Sequence, residues 1–173
     1  MEKIVIIING RGGVGKDTLC EFASKSFKIQ NISAITPIKN IAIEYGWRGE
    51  KDAKSRKFLS DLKRVFIEYN DLPTKYLYQK YEEFMKSMDQ ILFMHIREIG
   101  EIEKIKNKIK TPCLTLLVDR EVRSNAEWGN DSDDQVDQYT YDFYYDNNKT
   151  LEKTEEDFIT LINDMLNFEG LKG

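Results

Sequence analysis

The chain has 173 residues, of which 40% are apolar and 32% charged, and its net charge is −4. This length suits one domain with a substantial core, and the acidic balance argues against a protein that binds a nucleic-acid polymer through many phosphates. No apolar run approaches the ~18 residues of a membrane span, and Cys20 and Cys113 show no metal-ligand spacing. We therefore expect a single cytoplasmic domain, residues 1–173, with reduced thiols and no membrane partner.

The first predicted elements are a buried strand and the helix that follows it. Residues 4–8 form a continuous run of Ile and Val, typical of a central parallel strand that is covered on both faces. The run is too short for the apolar core of a secretory signal, and glycines follow it. The glycine-rich stretch 10–15 leads into a helix predicted over residues 16–28. A weak second strand is predicted at residues 33–36, closed by Pro37.

Residues 38–88 contain no convincing strand and are predicted to be helical. Apolar residues recur twice at helical spacing, with Pro73 at the junction between the two series. Both series are predicted to face a core. They comprise Phe58, Leu59, Leu62, Val65, Phe66 and Tyr69, and then Leu77, Tyr81, Phe84, Met85 and Met88.

The second half of the chain alternates strands with helices. Strands are predicted at residues 91–96, 114–118 and 139–145, and residues 120–137 form a polar, acidic loop. Two helices lie between and after them, marked by Ile99, Ile102, Ile105 and Ile109, and by Phe158, Leu161, Ile162 and Met165. This alternation predicts an α/β fold of three layers, a five-stranded parallel sheet with helices on both faces.

The glycine-rich stretch has the Walker A spacing of Gly, four residues, Gly and Lys. It reads Gly10-Arg11-Gly12-Gly13-Val14-Gly15-Lys16-Asp17-Thr18. Glycines let several backbone N–H groups point inward at phosphate oxygens, and the following helix adds the positive end of its dipole. Lys16 can reach the β- and γ-phosphates as a mobile charge. The whole stretch, 10–18, is therefore the predicted site for a nucleoside triphosphate, because it directly follows a buried strand and opens a helix.

The motif departs from the usual pattern at Asp17. Walker A normally has Ser or Thr there, and its hydroxyl binds Mg²⁺. Thr18 comes one residue later and is a candidate to contact a phosphate, a metal-bound water or the metal itself. Asp17 is alternatively a partner of the helix dipole in the first turn. The metal role of both residues stays open.

A family resemblance begins at Gly15-Lys16-Asp17-Thr18, which is similar to phage-type deoxynucleoside monophosphate kinases and less closely to animal phosphomevalonate kinases. Residues 36–39, Thr-Pro-Ile-Lys, resemble that first family's segment after the second strand. Residues 95–97 with Glu101 resemble its Asp-x-Arg…Glu pattern at the end of the third strand, with His95 in place of Asp. Residues 141–147 resemble its last strand and the turn containing Asn.

The resemblance implies the P-loop NTPase fold of a kinase, with ATP and Mg²⁺ as cofactors and a small phosphorylated acceptor, most closely a (deoxy)nucleoside monophosphate. It implies that the helical insertion 38–88, between strands two and three, binds this acceptor. It also implies a mobile lid, residues 120–137, after strand four. Lys39 and Arg97 become candidates to bind the acceptor. The candidate catalytic residues are Lys16, Arg97, Arg120 and Arg123.

Each of these residues has a structural alternative. Arg97 and Arg120 end buried strands, where open α/β sheets bind ligands, but either could form an ordinary ion pair. Lys39 could belong to a solvated helix start, and Arg11 could point to solvent. The charges of the insertion usually form a solvated helix face, so none is chosen as an acceptor ligand; they are Arg56, Lys57, Lys63 and Arg64.

Other polar residues near the predicted strand ends favour structural interpretations. His95, on an apolar strand, is more often a hydrogen-bonded core residue than a ligand. Glu98 and Glu101 are predicted to be surface residues of a helix rather than bases. Asp119 follows an apolar strand in the manner of a Walker B carboxylate, but it follows the fourth predicted strand.

Two other functions compete with a monophosphate kinase. The first is a kinase with a non-nucleotide acceptor, such as a phosphomevalonate-like compound. The second is a nucleotide-binding sensor that does little chemistry, which the missing hydroxyl at position 17 and His95 keep open. The sequence also leaves a homodimer open.

Overall fold

The buried run at the start of the chain forms the centre of the sheet. The computed structural model describes residues 2–120 and 136–168. Strand β1 (Ile4–Asn9) is buried along its whole length. It lies between β3 (Ile91–His95) and β4 (Cys113–Asp119), and the edges are β2 (Ile29–Ser33) and β5 (Phe143–Asp146). The order is β2-β3-β1-β4-β5 and every pairing is parallel, which confirms the predicted α/β fold.

Six helices cover the two faces of this sheet within the described residues. They are α1 (Lys16–Ser24), α2 (Thr36–Glu44), α3 (Ala53–Asn70), α4 (Leu72–Lys86), α5 (Ile99–Lys108) and α6 (Leu151–Leu166). Because side chains alternate along a strand, β1 sends Ile6 into one core with Leu19 and Phe158 of α1 and α6. It sends Ile7 into a second core with Phe84 of α4. The central strand is therefore apolar on both sides.

The second strand was predicted too late in the chain. It spans Ile29–Ser33, and the residues from Thr36 onward form α2 with Pro37 in its first turn. Proline is tolerated there because the first N–H groups of a helix need no partner within it. Helix α1 accordingly ends at Ser24 instead of residue 28. The fifth strand begins at Phe143 instead of residue 139.

The interval 38–88 contains helices and no strand, as predicted, but each of its two apolar series faces a core only in part. In the second series, Leu77 and Phe84 of α4 are fully buried, but Met85 is 43% exposed and Met88 is 74% exposed. In α3, Val65 is 51% exposed and Tyr69 is 83% exposed, so the predicted core face is wrong at these positions. The reason is that α3 buries a different side, which carries the polar residue Lys63.

Two predictions on organisation remain as they were. That residues 1–173 form a single domain stays a prediction. The predicted lid, 120–137, lies mostly outside the described residues, which include only Arg120 and a short 3₁₀ turn, Val136–Gln138, at its two ends. Among the described helices, none combines the length and the apolarity needed to cross a membrane.

Candidate nucleotide-binding site

The predicted phosphate loop lies at the carboxyl edge of the sheet. Residues 10–15 connect the end of β1 to the start of α1. The registers pair Ile8 with His95 of β3 and Asn9 with Leu117 of β4. Strands β3 and β4 therefore end on either side of the loop, and this edge is where parallel α/β sheets bind ligands.

Three glycines give the loop its shape. Gly10, Gly13 and Gly15 have φ values of 152°, 82° and 91°, a region that favours glycine. A Cβ atom at Gly10 would lie 2.4 Å from the carbonyl oxygen of Val118 in β4. A Cβ at Gly15 would lie 2.6 Å from Nδ2 of Asn147, whereas one at Gly13 would meet nothing within 4 Å. Gly10 thus lets the loop pass directly over the neighbouring strand.

This difference predicts unequal effects of alanine at two glycines. Gly13→Ala should cost roughly 1–2 kcal/mol of stability, because it places a Cβ in the left-handed region. Gly10→Ala should cost a further ~1–3 kcal/mol, because the β4 backbone must also move. Urea unfolding of both variants measures the difference. Equal losses in the two variants would contradict the close approach of Gly10 to Val118.

Lys16 begins α1 and crosses back over the loop. Its Nζ donates to the carbonyl oxygens of Gly10 and Arg11, the latter at 3.2 Å. Gly15 occupies the N-cap position and provides no side-chain cap. The N–H groups in the first turn of a helix have no partner within the helix, and the dipole is positive there, so this is a favourable place for a phosphate.

The other loop residues have distinct positions. Val14 is buried in the core, whereas Asp17 and Thr18 are exposed on the first turn of α1. Arg11 does not simply point to solvent, because its Nη2 lies 2.5 Å from Oδ2 of Asp137. Gly12 is partly buried. The Arg11–Asp137 pair could not be predicted from the sequence, because its members are 126 positions apart.

Asn147, which follows the edge strand β5, forms a hydrogen bond with the phosphate loop. Its Nδ2 donates to the carbonyl oxygen of Val14 at 2.8 Å. Its own backbone N–H donates to the carbonyl oxygen of Asp119 at 2.7 Å. The sequence pointed to this residue only through the family resemblance of residues 141–147, and a phosphate-loop contact was not predicted.

Arg97 lies two residues beyond β3, on the other side of the loop. Its carbonyl oxygen accepts a hydrogen bond of 3.1 Å from Nδ2 of Asn9, the residue that precedes the loop. Arg97 itself is partly buried. Strand β3 lies next to β1, so the backbone of Arg97 is held directly beside the start of the phosphate loop.

Structural comparison agrees with this geometry. The structure is similar to dephospho-CoA kinase from Campylobacter jejuni, with 14% identity, 93% of this chain and 96% of that chain covered, and a TM-score of 0.60. It is similar to shikimate kinase from Bacteroides thetaiotaomicron, with 14% identity, 95% and 99% coverage and a TM-score of 0.52. A sugar kinase from Janibacter sp. HTCC2649 matches with 12% identity, 94% and 95% coverage and a TM-score of 0.50.

The chain has the P-loop kinase fold. At 12–14% identity the likeness is one of fold. No protein-family model matches the sequence, and no curated protein matches it. What the P-loop kinase fold does in this chain therefore has to be argued from its own residues.

The oxygen atoms around the loop fit a magnesium–nucleotide complex. Mg²⁺ is usually held by one or two protein oxygens together with substrate phosphates and waters. Thr18 and Asp17 offer oxygens on the exposed first turn of α1. Asp119 is exposed at the end of β4, where its Oδ1 accepts the N–H of Arg120. Within residues 2–120 and 136–168, no three His, Cys, Asp or Glu residues cluster as metal ligands.

The remaining predicted residues are less closely tied to the loop. Arg120 follows β4 and is exposed, and Lys39 is exposed on α2. Arg123 lies outside the described residues. The described contacts therefore connect Arg97 to the phosphate loop, but they give no such connection for Lys39.

His95 lies at the end of β3, where its ring is kept neutral. Burial lowers its pKa to about 4, with a contribution from Lys16 and Arg97, which the opposing effect of Asp17 does not cancel. Its Nε2 is 2.5 Å from Oδ1 of Asn31 and 3.8 Å from Sγ of Cys20. The close partner of His95 is thus an amide of β2.

The prediction that Lys63 and Glu101 are solvated surface residues is wrong. Lys63 of α3 is 7% exposed and Glu101 of α5 is 3% exposed. The Nζ of Lys63 lies 2.6 Å from Glu98 and 3.1 Å from Glu101. Helical spacing alone could not reveal this, because the three charges share a cluster that only the packing of α3 against α5 creates. The cluster joins the helical insertion to the turn that follows Arg97.

The shifted pKa values of Glu101 and His95 make the free energy of unfolding change with pH in opposite directions. Burial raises the pKa of Glu101 from 4.5 to about 7, against the attraction of Lys63. Between these values the folded state binds more protons than the unfolded state, so the free energy of unfolding falls as pH rises. His95 is lowered from a pKa of 6.5 to about 4. Its contribution rises with pH over that interval, because there the unfolded state binds more protons.

We therefore predict that Glu101→Gln gains stability relative to the wild type as pH rises from 4.5 to 7, the window set by the pKa of Glu101. The measurement is urea unfolding at several pH values across this window. The exposed Glu156→Gln serves as the control, and its curve should run parallel to that of the wild type. A parallel curve for Glu101→Gln as well would show that Glu101 titrates alike in the folded and unfolded chain.

Proposed function

We propose that this protein is an ATP-dependent kinase that transfers the γ-phosphoryl group to a small phosphorylated acceptor, a (deoxy)nucleoside monophosphate. One observation carries the proposal. The phosphate loop with Lys16 and the backbone of Arg97 lie side by side at the carboxyl edge of the sheet, linked through Asn9. A donor phosphate on the loop and an acceptor phosphate on Arg97 would then be neighbours.

On the donor side, the loop binds ATP through backbone N–H groups and the start of α1. Lys16 exchanges the carbonyl oxygens of Gly10 and Arg11 for the β- and γ-phosphates of the incoming nucleotide. There its charge stabilises the negative charge on the transferring oxygens. Mg²⁺, when bound, would neutralise part of the negative charge on the phosphates. Thr18, Asp17 and Asp119 are the residues that would hold it.

On the acceptor side, the guanidinium of Arg97 binds the acceptor phosphate. An oxygen of that phosphate attacks the γ-phosphorus, a new P–O bond forms, and the bond to the β-phosphate oxygen breaks to leave ADP. Phosphoryl transfer of this kind needs mainly positioning and charge neutralisation, which is why no general base is assigned. Arg120 and Arg123 are proposed to add positive charge at the transferring group, and Lys39 to contact the acceptor.

The nucleotide acceptor rests on the resemblance of four short segments to phage-type deoxynucleoside monophosphate kinases, together with the helical insertion α2–α4 in the expected place. A non-nucleotide acceptor is the second candidate. It is favoured by one structural neighbour, a shikimate kinase, whose acceptor is not a nucleotide. A cytoplasmic location and the absence of a nucleic-acid polymer as partner belong to the same proposal.

The test is a panel of acceptors with Mg-ATP. ADP release and thermal shift are measured for all ribo- and deoxynucleoside monophosphates, and for shikimate and phosphomevalonate as non-nucleotide acceptors. ADP release with one nucleoside monophosphate supports the proposal. Release with a non-nucleotide acceptor alone would replace the acceptor, and a thermal shift with ATP but no release with any compound would favour the nucleotide sensor.

A further inference from the structure

The side chain of Asn9 joins three parts of the site. It is fully buried at the end of β1, a strand whose other residues are all Ile or Val. Its Nδ2 donates to the carbonyl oxygen of Arg97 at 3.1 Å and to the hydroxyl of Tyr141 at 2.9 Å. Its Oδ1 accepts the N–H of Gly10 at 2.8 Å. Both donors and the acceptor of the amide are therefore used.

Core packing does not explain an amide at this position. An apolar side chain of similar size would fill the same space, and a buried amide is costly unless hydrogen bonds compensate for its lost water. The partners of Asn9 are the first residue of the phosphate loop and the carbonyl of Arg97. They are the two groups whose separation decides whether donor and acceptor phosphates meet.

Tyr141 extends this connection to the far side of the loop. It is 4% exposed, and its hydroxyl accepts from Asn9 while donating to the carbonyl oxygen of Val136 at 2.8 Å. Burial raises its pKa to about 12, so the hydroxyl keeps the proton that it donates. Val136 precedes Asp137, whose carboxylate pairs with Arg11 of the loop. The path from Asn9 through Tyr141 and Val136 to Asp137 therefore ends at Arg11, which is itself a residue of the phosphate loop.

We propose that Asn9 is a positioning residue that fixes the distance between the phosphate loop and Arg97, and so aligns the two phosphates for transfer. The inference rests on the proposed function, in which Arg97 binds the acceptor. Misplacement of reacting groups by 1 Å can lower a rate by about 10²-fold. A smaller displacement, caused by the loss of one amide, should lower it by about tenfold.

The experiment compares Asn9→Ser with a matched control. Serine keeps a hydroxyl but is too short to make all three contacts. Asn9→Ser should lower kcat for the best acceptor by about tenfold, with the affinity for an ATP analogue changed by less than about threefold. Thr115→Val is the control, since Thr115 is fully buried on β4 and its hydroxyl bonds to Asp142. The control should lose stability and keep kcat. A normal kcat in folded Asn9→Ser would overturn the inference.

A double-mutant cycle separates positioning from a general loss of structure. If Asn9 acts through Arg97, Asn9→Ser should have less than about a twofold effect on kcat/KM of the acceptor once Arg97→Ala has removed the side chain that Asn9 positions. Effects that simply multiply would overturn the inference. If Asn9→Ser does not fold, Tyr141→Phe takes its place, because it removes only the hydroxyl that accepts from Asn9.

The failure of the proposed function would be recognised separately, because the wild-type protein would then release no ADP with any acceptor. In that case a crystal structure of Asn9→Ser decides the positional claim. A carbonyl of Arg97 displaced from the phosphate loop by roughly 0.5 Å or more, about the tolerance of a functional site, sustains it. An unmoved Arg97 and Gly10 would overturn it.

Discussion

Replacing Lys16 by alanine is expected to lower the rate of phosphoryl transfer by about 10²–10³-fold, the usual effect of removing one preorganised electrostatic partner. The ammonium of Lys16 lies against the carbonyl oxygens of Gly10 and Arg11 at the start of α1. The lysine is only partly buried, so the fold should survive. The measurement is single-turnover transfer with Mg-ATP, together with the melting temperature.

Lys25 provides a matched control for this substitution. It lies directly after α1, is exposed, and pairs with Glu155 of α6 at 3.0 Å. Lys25→Ala should leave transfer unchanged, since an exposed ion pair contributes little. A Lys16→Ala protein that is folded and transfers phosphate at the wild-type rate would remove the assignment of the loop as the donor site.

The phosphate loop and the central strand could be predicted from sequence because their determinants are local. Residues 4–8 are all Ile or Val, so a strand formed by them has apolar side chains on both faces and must be buried on both. Strand β1 is buried throughout. The positive φ values of Gly10, Gly13 and Gly15 favour glycine whatever the rest of the fold is. Local patterns of this kind are enough to predict the central strand of the sheet and the loop that follows it.

The edges of the fold depend on packing between distant segments, and there the sequence was less informative. Strand β2 reads Ile-Gln-Asn-Ile-Ser and none of its residues is fully buried, so it lacks the apolar run of a central strand. In α3 the apolar spacing was correct for a helix, but the side that packs inward carries Lys63. A lysine becomes a buried residue only when carboxylates such as Glu98 and Glu101 are packed against it.

The least predictable residues of the site are two amides. Asn9 and Asn147 are separated from each other by most of the chain, yet both bond to the phosphate loop, through Gly10 and Val14. An asparagine has no sequence signature for this role, because its partners are backbone groups whose positions depend on the whole sheet. A lysine in a glycine-rich loop has such a signature, and an amide beside that loop does not.

Replacing Arg97 by lysine is expected to lower kcat/KM for the acceptor by roughly 30- to 100-fold, while the affinity for ATP stays within about threefold. The guanidinium offers a rigid fork of donors that suits a phosphate bidentately, and lysine does not reproduce this geometry. A charge-assisted hydrogen bond is worth about 1.5–3 kcal/mol, or roughly 13- to 160-fold, and the expected loss lies within that range. The backbone of Arg97 is held by Asn9 in either case, so the lysine should start from the same place.

Lys153→Arg is the control, because Lys153 is exposed on α6, outside the helical insertion, and exchanging one cation for the other there should leave the acceptor kinetics unchanged. The melting temperature separates the two roles considered for Arg97. If it only forms an ion pair, Arg97→Lys should lower the melting temperature slightly and leave kcat and KM as they are. If it binds the acceptor, the melting temperature of the free protein should hardly change, and the loss should appear in the acceptor KM. Normal acceptor kinetics in Arg97→Lys would take Arg97 out of the site and, with it, the geometric argument that this P-loop kinase fold acts on a phosphorylated acceptor.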